Sequence, residues 1–212
     1  MATNGTIDQP HGAGTPEFEA ACAALAAGEL VVYPTETLYA LGADARNPQA
    51  LAGLIALKGR EPGKPIALIA ADLAMVMELV QSFPTPALRL AQRFWPGPLT
   101  LVLPARAGLS EVLLNDSGGV GVRVPDHWIA CQLSARLGSP LTATSANLAG
   151  GVPATTVKAA RAALGDAVAA YLEGGELGRQ AASTVVDFQG QRPRVLRAGP
   201  IDEAQLYAAL GQ

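Results

Sequence analysis

"NPQALAGLIALKGREPGKPIALIA", Asn47 to Ala70, changes its period halfway along, and that change decides how the chain is read. The first half places Leu51, Leu54 and Ile55 on one helical face, with Pro48 in the first turn and Gly59 as the stop. Lys58 continues that face at i+7 from Leu51. The closing "PIALIA" is a short, fully apolar run of the kind that forms a buried strand. Between them, "KGREPGKP" holds Lys58, Arg60 and Lys64, two of the three lysines in a chain with twelve arginines. An unpaired ammonium on a buried helix face is costly, and a bound anion would relieve that cost. The plainer alternative is a solvated basic turn.

The alternation of periods extends in both directions. Phe18, Ala21, Cys22 and Leu25 form a helical face stopped by Gly28, and "ELVVYP" is an apolar strand ended by Pro34. Downstream, "DLAMVMELV" is a helix opened by an Asp cap and "PALRLAQRFW" another. "LTLVLP" and "GGVGVRVP" read as strands, followed by the helix "DHWIACQLSARLG" and the short strand "PLTAT". "SANLAGGVPATT" reads as loop and "TVKAARAAL" as helix. Three short strands, in "VAAYLEGG", "STVVDF" and "PRVLRAG", precede a final helix, "DEAQLYAAL". This order implies one α/β domain with a mixed, partly antiparallel sheet. Residues 1–15 read as a flexible tail and 16–212 as the domain.

With 212 residues, half of them hydrophobic and 16% charged, the chain suits a compact fold with a large core. A net charge of -3 argues against a protein coated in nucleic acid, while leaving room for a local basic cleft. No apolar run approaches the roughly 18 residues of a membrane span. Cys22 and Cys131 form no CxxC pair, which suits reduced thiols in a cytoplasmic protein.

Several chemistries are excluded. The sequence has neither GxxxxGK[ST] nor GxGxxG, the phosphate-cradling glycine motifs. Its histidines are His11, in the expected tail, and His127, in the first turn of a helix. His127 and Cys131 are spaced i, i+4, but a metal needs further ligands and none lies near in sequence.

What remains is a set of polar residues at strand ends, where α/β scaffolds carry function. In "YPTETLYALGADA", Thr35, Glu36 and Thr37 follow a strand directly; the alternative is a helix-capping turn. In "TATSANLAGG", Thr142, Thr144, Ser145 and Asn147 offer hydroxyl and amide hydrogen bonds, and the glycines permit close backbone approach. Ser183 and Arg197 sit at strand edges in "STVVDF" and "VLRAG".

Seven motifs, "YPTETLYALGADA", "KGREPGKP", "FWPGPLTLVLPA", "VGVRVPDH", "PLTATSANLAGG", "STVVDF" and "VLRAG", resemble in that order the YrdC/Sua5 family of L-threonylcarbamoyladenylate synthases. The resemblance runs from Pro16 to Pro200. It implies a twisted mixed sheet with flanking helices around a basic concave cavity, in the short, single-domain form. It also implies a reaction: L-threonine, bicarbonate or CO2, and ATP give threonylcarbamoyl-AMP and pyrophosphate. A separate transferase complex then uses the intermediate to modify tRNA.

By that resemblance Lys58 and Arg60 match a KxR motif that binds the ATP phosphates and the carboxylate-bearing substrate. Ser145 and Asn147 match an SxN motif expected to contact phosphate oxygens, with Thr144 beside them and Arg197 on the nucleotide side. Thr35, Arg123, Thr142 and Ser183 make up the threonine-binding set. No carboxylate cage is visible, so Mg2+ is expected to arrive with ATP. A histidine that some members carry after the basic motif is absent from "PIALIA". The alternatives are a non-catalytic RNA-binding or ribosome-maturation protein using the same cavity, and a carbamoyl-AMP-forming module. The aromatic-basic interleaving that stacks on bases is missing.

Overall fold

The computed structural model describes residues 14–59, 65–177, 181–190 and 192–211. Most of the expected tail, together with Arg60 and Lys64, lies outside the described residues. Thr15 is already part of the domain, because its Oγ1 accepts from the Phe18 amide and caps the first helix.

The order is α1 (Pro16–Ala26), β1 (Val31–Pro34), β2 (Tyr39–Gly42), α2 (Pro48–Lys58), β3 (Leu68–Ile69), α3 (Leu73–Leu79), α4 (Thr85–Phe94) and β4 (Leu99–Pro104). There follow β5 (Gly119–Arg123), α5 (Trp128–Leu137), β6 (Leu141–Thr142), β7 (Thr144–Ser145), α6 (Val157–Leu164), β8 (Ala170–Tyr171), β9 (Thr184–Asp187), β10 (Arg194–Arg197) and α7 (Glu203–Leu210). Helix α2 begins where Asn47 accepts from the Gln49 and Ala50 amides, and ends at Gly59 in the left-handed region at φ +56°.

The expected single sheet is two. One has the order β7-β2-β1-β8 and the other β10-β9-β4-β5-β3-β6, and both mix parallel and antiparallel pairs. Strand β1 is buried on both faces. Val32 packs into the larger core with Leu41 and Leu54, while Val31 and Tyr33 pack with Phe18 and Leu133 of α1 and α5. Strand β2 lies in a segment for which no strand is expected, and β7 spans the last residue of the "PLTAT" strand and the first of the "SANLAGG" loop. Strand β2 pairs back on β1 as a hairpin, so the Thr-Glu-Thr turn closes a hairpin and caps no helix. The "PLTAT" strand breaks at Ala143: Thr142 ends β6 in one sheet, and Thr144 opens β7 in the other.

That break joins the sheets. The Thr142 amide donates to the Ala43 carbonyl at 2.9 Å, and its Oγ1 accepts from the Ala43 amide at 2.9 Å. The Tyr33 hydroxyl donates to the Thr142 carbonyl at 2.8 Å. No helix of the described residues is long and apolar enough to cross a membrane.

Thr142→Val leaves the buried Ala43 amide without its acceptor. The expected loss is about 1–3 kcal/mol of unfolding free energy, read as a lowered urea midpoint with an unchanged m-value.

Candidate functional site

A cavity of about 360 Å³ opens between the two sheets. One wall is the β1–β2 turn, with Thr35, Thr37 and Tyr39, continued by Thr144 and Ser145 of β7, which pairs beside β2. The floor is a polar row across the larger sheet: Arg123 on β5, Thr100 on β4, Ser183 at the start of β9 and Arg197 on β10. Thr35, Arg123, Thr144, Ser145, Ser183 and Arg197, expected from sequence to serve the site, therefore meet around one space. Arg60 lies outside the described residues.

Thr142 does not belong to that set. It is fully buried, its hydroxyl is engaged with Ala43 and Leu41, and the cavity is lined instead by its neighbours Ala143 and Thr144. The break between sheets turns the chain there, so Thr142 stitches the fold while the residues after it face the ligand space.

Lys58 is buried, as its place on the helix face requires, and protein oxygens already meet its ammonium. Its Nζ donates to the carbonyls of Ser145 at 2.7 Å and Asn147 at 2.6 Å. Protein oxygens thus relieve the desolvation of the ammonium, and the lysine fixes the backbone of the SxN loop. Asn147 is held within the same loop. Its Nδ2 donates to the Leu148 and Gly151 carbonyls, which leaves no amide hydrogen for phosphate oxygens. The atom it has to offer is Oδ1, buried and without a hydrogen-bond partner among the described residues.

Arg123 and Arg197 are held differently. Arg123 donates from Nη1 to Glu36 Oε1 at 2.6 Å, an ion pair in which the arginine is buried and the glutamate partly so. Arg197 donates from Nε and Nη2 to the Ser183 carbonyl at 3.0 and 2.8 Å, and from Nη2 to Ser183 Oγ at 3.0 Å. Burial, and then the positive charge of Arg123, push the Arg197 guanidinium below its ordinary value. Two cations that repel each other across one cavity make a place for an anion. Tyr39, whose hydroxyl donates to the Gly175 carbonyl and accepts from the Gly174 amide, is pushed up to about 12 by burial and stays protonated.

Sequence reading missed Glu36 as a partner for Arg123 and Thr100 as a cavity residue; it singled out Thr37 at the strand end without giving it a role. Thr100 carried a faint signal, being the lone polar residue in the strand "LTLVLP". His127 occupies the N-cap of α5, and burial pushes its imidazole below the ordinary value. Cys131 donates to the Pro125 carbonyl. The described residues hold no group of three or more His, Cys, Asp or Glu that could bind a metal.

Fold and cavity together define an α/β protein of two mixed sheets with a polar, arginine-floored cavity between them. A family model, Sua5_yciO_yrdC, described as telomere recombination, matches residues 23–199. The chain belongs to the Sua5/YciO/YrdC family. It is 41% identical to the threonylcarbamoyl-AMP synthase of Chromohalobacter salexigens, over 80% of this chain and 91% of that one. Among solved structures, Pyrococcus abyssi Sua5 in complex with L-threonine superposes with a TM-score of 0.87 at 33% identity. That match covers 92% of this chain and 57% of the Sua5 chain. E. coli YciO gives 0.80 at 28% identity, covering 89% and 92%.

Lys58→Ala removes two charge-assisted bonds to loop carbonyls. The fold is therefore expected to lose about 3–6 kcal/mol at roughly 1.5–3 kcal/mol per bond, measured by chemical denaturation. Lys158→Ala, on an exposed face of α6, should stay within about 0.5 kcal/mol of the unmodified protein.

Proposed function

We propose that the protein is an L-threonylcarbamoyladenylate synthase, a nucleotidyltransferase that forms threonylcarbamoyl-AMP and pyrophosphate from L-threonine, bicarbonate or CO2, and ATP. One observation carries the reading. Two guanidinium groups and two hydroxyls line the floor of a cavity sized for an amino acid, directly beneath the loop of the SxN motif. The names of its relatives support it. The RNA-binding alternative needs a track of cations. The described cavity offers two arginines, one already paired with Glu36, which is too few to follow a phosphate backbone.

The chemistry needs little from side chains as acids or bases. The amine of threonine adds to CO2, giving a carbamate and releasing a proton. A carbamate oxygen then attacks the α-phosphorus of ATP, and the bond to the pyrophosphate leaving group breaks. Both reactants are anions, so the protein must hold them together against repulsion and align them. Arg197 and Arg123 supply positive charge at the floor. Ser145 and Thr144 face the cavity from the loop that Lys58 holds in place. Lys58 adds its charge to the backbone of that loop, whatever further contact Arg60 makes with phosphate.

The residues present suit a magnesium ion carried in by ATP. Asn147 Oδ1 is a hard oxygen donor buried without a partner among the described residues, and the Ser145 hydroxyl lies on the same loop. Bound with the triphosphate, Mg2+ would neutralise phosphate charge. The product is a mixed anhydride suited to a separate transferase complex acting on tRNA, in keeping with a cytoplasmic setting.

Purified protein given ATP, Mg2+, bicarbonate and L-threonine is expected to release pyrophosphate and form threonylcarbamoyl-AMP, detected by mass spectrometry, without tRNA. Pyrophosphate release that ignores bicarbonate, or requires tRNA, would sink the reading. Arg197→Ala is expected to lower kcat/KM for threonine about ten- to hundred-fold, the kinetic equivalent of about 1.5–3 kcal/mol.

A further inference from the structure

We propose that Thr100 is a positioning residue for the amino-acid substrate: it fixes the Ser183 hydroxyl so that the pair presents one proton, between two guanidiniums, to an acceptor oxygen of the ligand. This role rests on the synthase reading and gives Thr100 a part in it.

The placement of Thr100 follows from the pairing of its strand. Leu99, Leu101 and Leu103 of β4 pack in the larger core, so alternation turns Thr100 to the other face. There it is buried at 3% exposure and lines the cavity. In the sheet, β4 lies between β5 and β9. Leu101 stands opposite Val122 of β5, which sets Thr100 beside Arg123. On the other side Thr100 pairs with Val185 of β9, and Val185 pairs in turn with Arg197 of β10. One row across the floor therefore runs from Arg123 through Thr100 and Val185 to Arg197, with Ser183 just before β9. A shift of register between Val195 and Arg197 brings the arginine into that row. Without it, Leu196 would stand opposite Val185 instead.

The two branches of the Thr100 side chain are used differently. Its methyl group lies 3.4 Å from the place a Cβ would take on Gly121, so it rests over a bare glycine on the β5 side. Threonine is stiff about χ1, and seating the methyl toward β5 points the hydroxyl toward β9. There Thr100 Oγ1 lies 2.7 Å from Ser183 Oγ. Ser183 Oγ also accepts from Arg197 Nη2 at 3.0 Å, and the Ser183 carbonyl accepts from Nε and Nη2 of the same guanidinium. The one polar residue of β4 is thus linked through a serine to the arginine at the sheet edge.

One proton is left over whichever hydroxyl donates. The pair has two protons and one shared bond. If Ser183 donates, the Thr100 proton has no acceptor among the described residues; if Thr100 donates, the Ser183 proton has none. Guanidiniums can only donate. The floor therefore meets a ligand with donors alone, and the group that suits it is an acceptor oxygen of the amino acid. Without the Thr100 hydroxyl, Ser183 loses the partner that holds its proton in the row.

The experiment measures kcat, and KM for threonine and for ATP, on the unmodified protein, Thr100→Val, Thr100→Ser, Ser183→Ala and the Thr100→Val/Ser183→Ala double variant, with thermal midpoints alongside. Thr100→Val keeps the volume and loses the hydroxyl. KM for threonine is expected to rise at least about five-fold in it, while KM for ATP stays within about two-fold. Thr100→Ser restores the hydroxyl and should hold KM for threonine within about three-fold of the unmodified value. Two hydroxyls that share a proton act as a unit, so the double variant should depart at least about three-fold from the product of the single effects. Should Thr100→Val not fold, Thr100→Ala removes the same hydroxyl and must show the same behaviour, alone and with Ser183→Ala. A KM for threonine that is unchanged, or that rises together with KM for ATP, would overturn the inference and leave the synthase reading standing. Thr100→Ser as impaired as Thr100→Val, or single effects that simply multiply, would do the same. An unmodified protein that releases no pyrophosphate with threonine overturns both.

Discussion

The ammonium of Lys58 lies at the end of α2 and holds a loop that begins more than eighty residues later in the chain, through the carbonyls of Ser145 and Asn147. Much of the site follows from that contact. Burying a lysine is tolerable only when oxygens surround it, so the helix face that carries Leu51 and Leu54 into the core also commits Lys58 to those oxygens. Once Ser145 and Asn147 are fixed, Asn147 turns its amide hydrogens to Leu148 and Gly151, and its Oδ1 has nothing left to accept from. The loop is thus ordered by its own backbone before any ligand arrives, the preorganisation that electrostatic catalysis needs.

The two arginines of the floor divide the electrostatic work. The carboxylate of Glu36 neutralises Arg123 and ties the β1–β2 turn to β5, closing the cavity on the side of the smaller sheet. Among the described residues Arg197 pairs with no carboxylate and is steadied by an uncharged carbonyl and hydroxyl of Ser183. A guanidinium held by neutral groups keeps its field, whereas one paired with a carboxylate at 2.6 Å has most of its field cancelled locally. The net positive potential of the described floor therefore belongs mainly to Arg197, and Arg123 contributes geometry as much as charge.

How far the sequence could be read depended on whether its signals were local. Helices announced themselves through local signals: Gly59 ends α2 and Asp72 caps α3 as expected, and Asn47, Thr156 and Asp202 cap α2, α6 and α7 in the same way. The burial of Lys58 was legible from its period. Its partners were not, because nothing at Lys58 specifies which distant carbonyls it will meet. Strands β2 and β7 escaped for the same reason. "YALG" becomes a strand by pairing with β1, and Thr144–Ser145 becomes one by pairing with β2. Thr142 and Thr144 share parity in sequence, and alternation along a continuous strand would have pointed both one way. The crossing between sheets at Ala143 separates them, so one became structure and the other part of the cavity.

The division between the neighbouring hydroxyls has the same origin. Thr35, Thr37, Thr100 and Ser183 are all buried at the cavity, and composition alone makes them equivalent donors and acceptors. Each is distinguished only by where its neighbours send their protons. A carbonyl at Leu38 takes the Thr35 proton, and Thr35 Oγ1 accepts from the Thr37 and Leu38 amides, so the hairpin register of β1 against β2 spends that hydroxyl on the turn itself. Thr100 and Ser183 share one hydrogen bond on the floor, beside guanidiniums that can only donate. Hydroxyls of one chemistry thus differ in what they can offer a ligand because of the backbone folded around them, which no local stretch of sequence records.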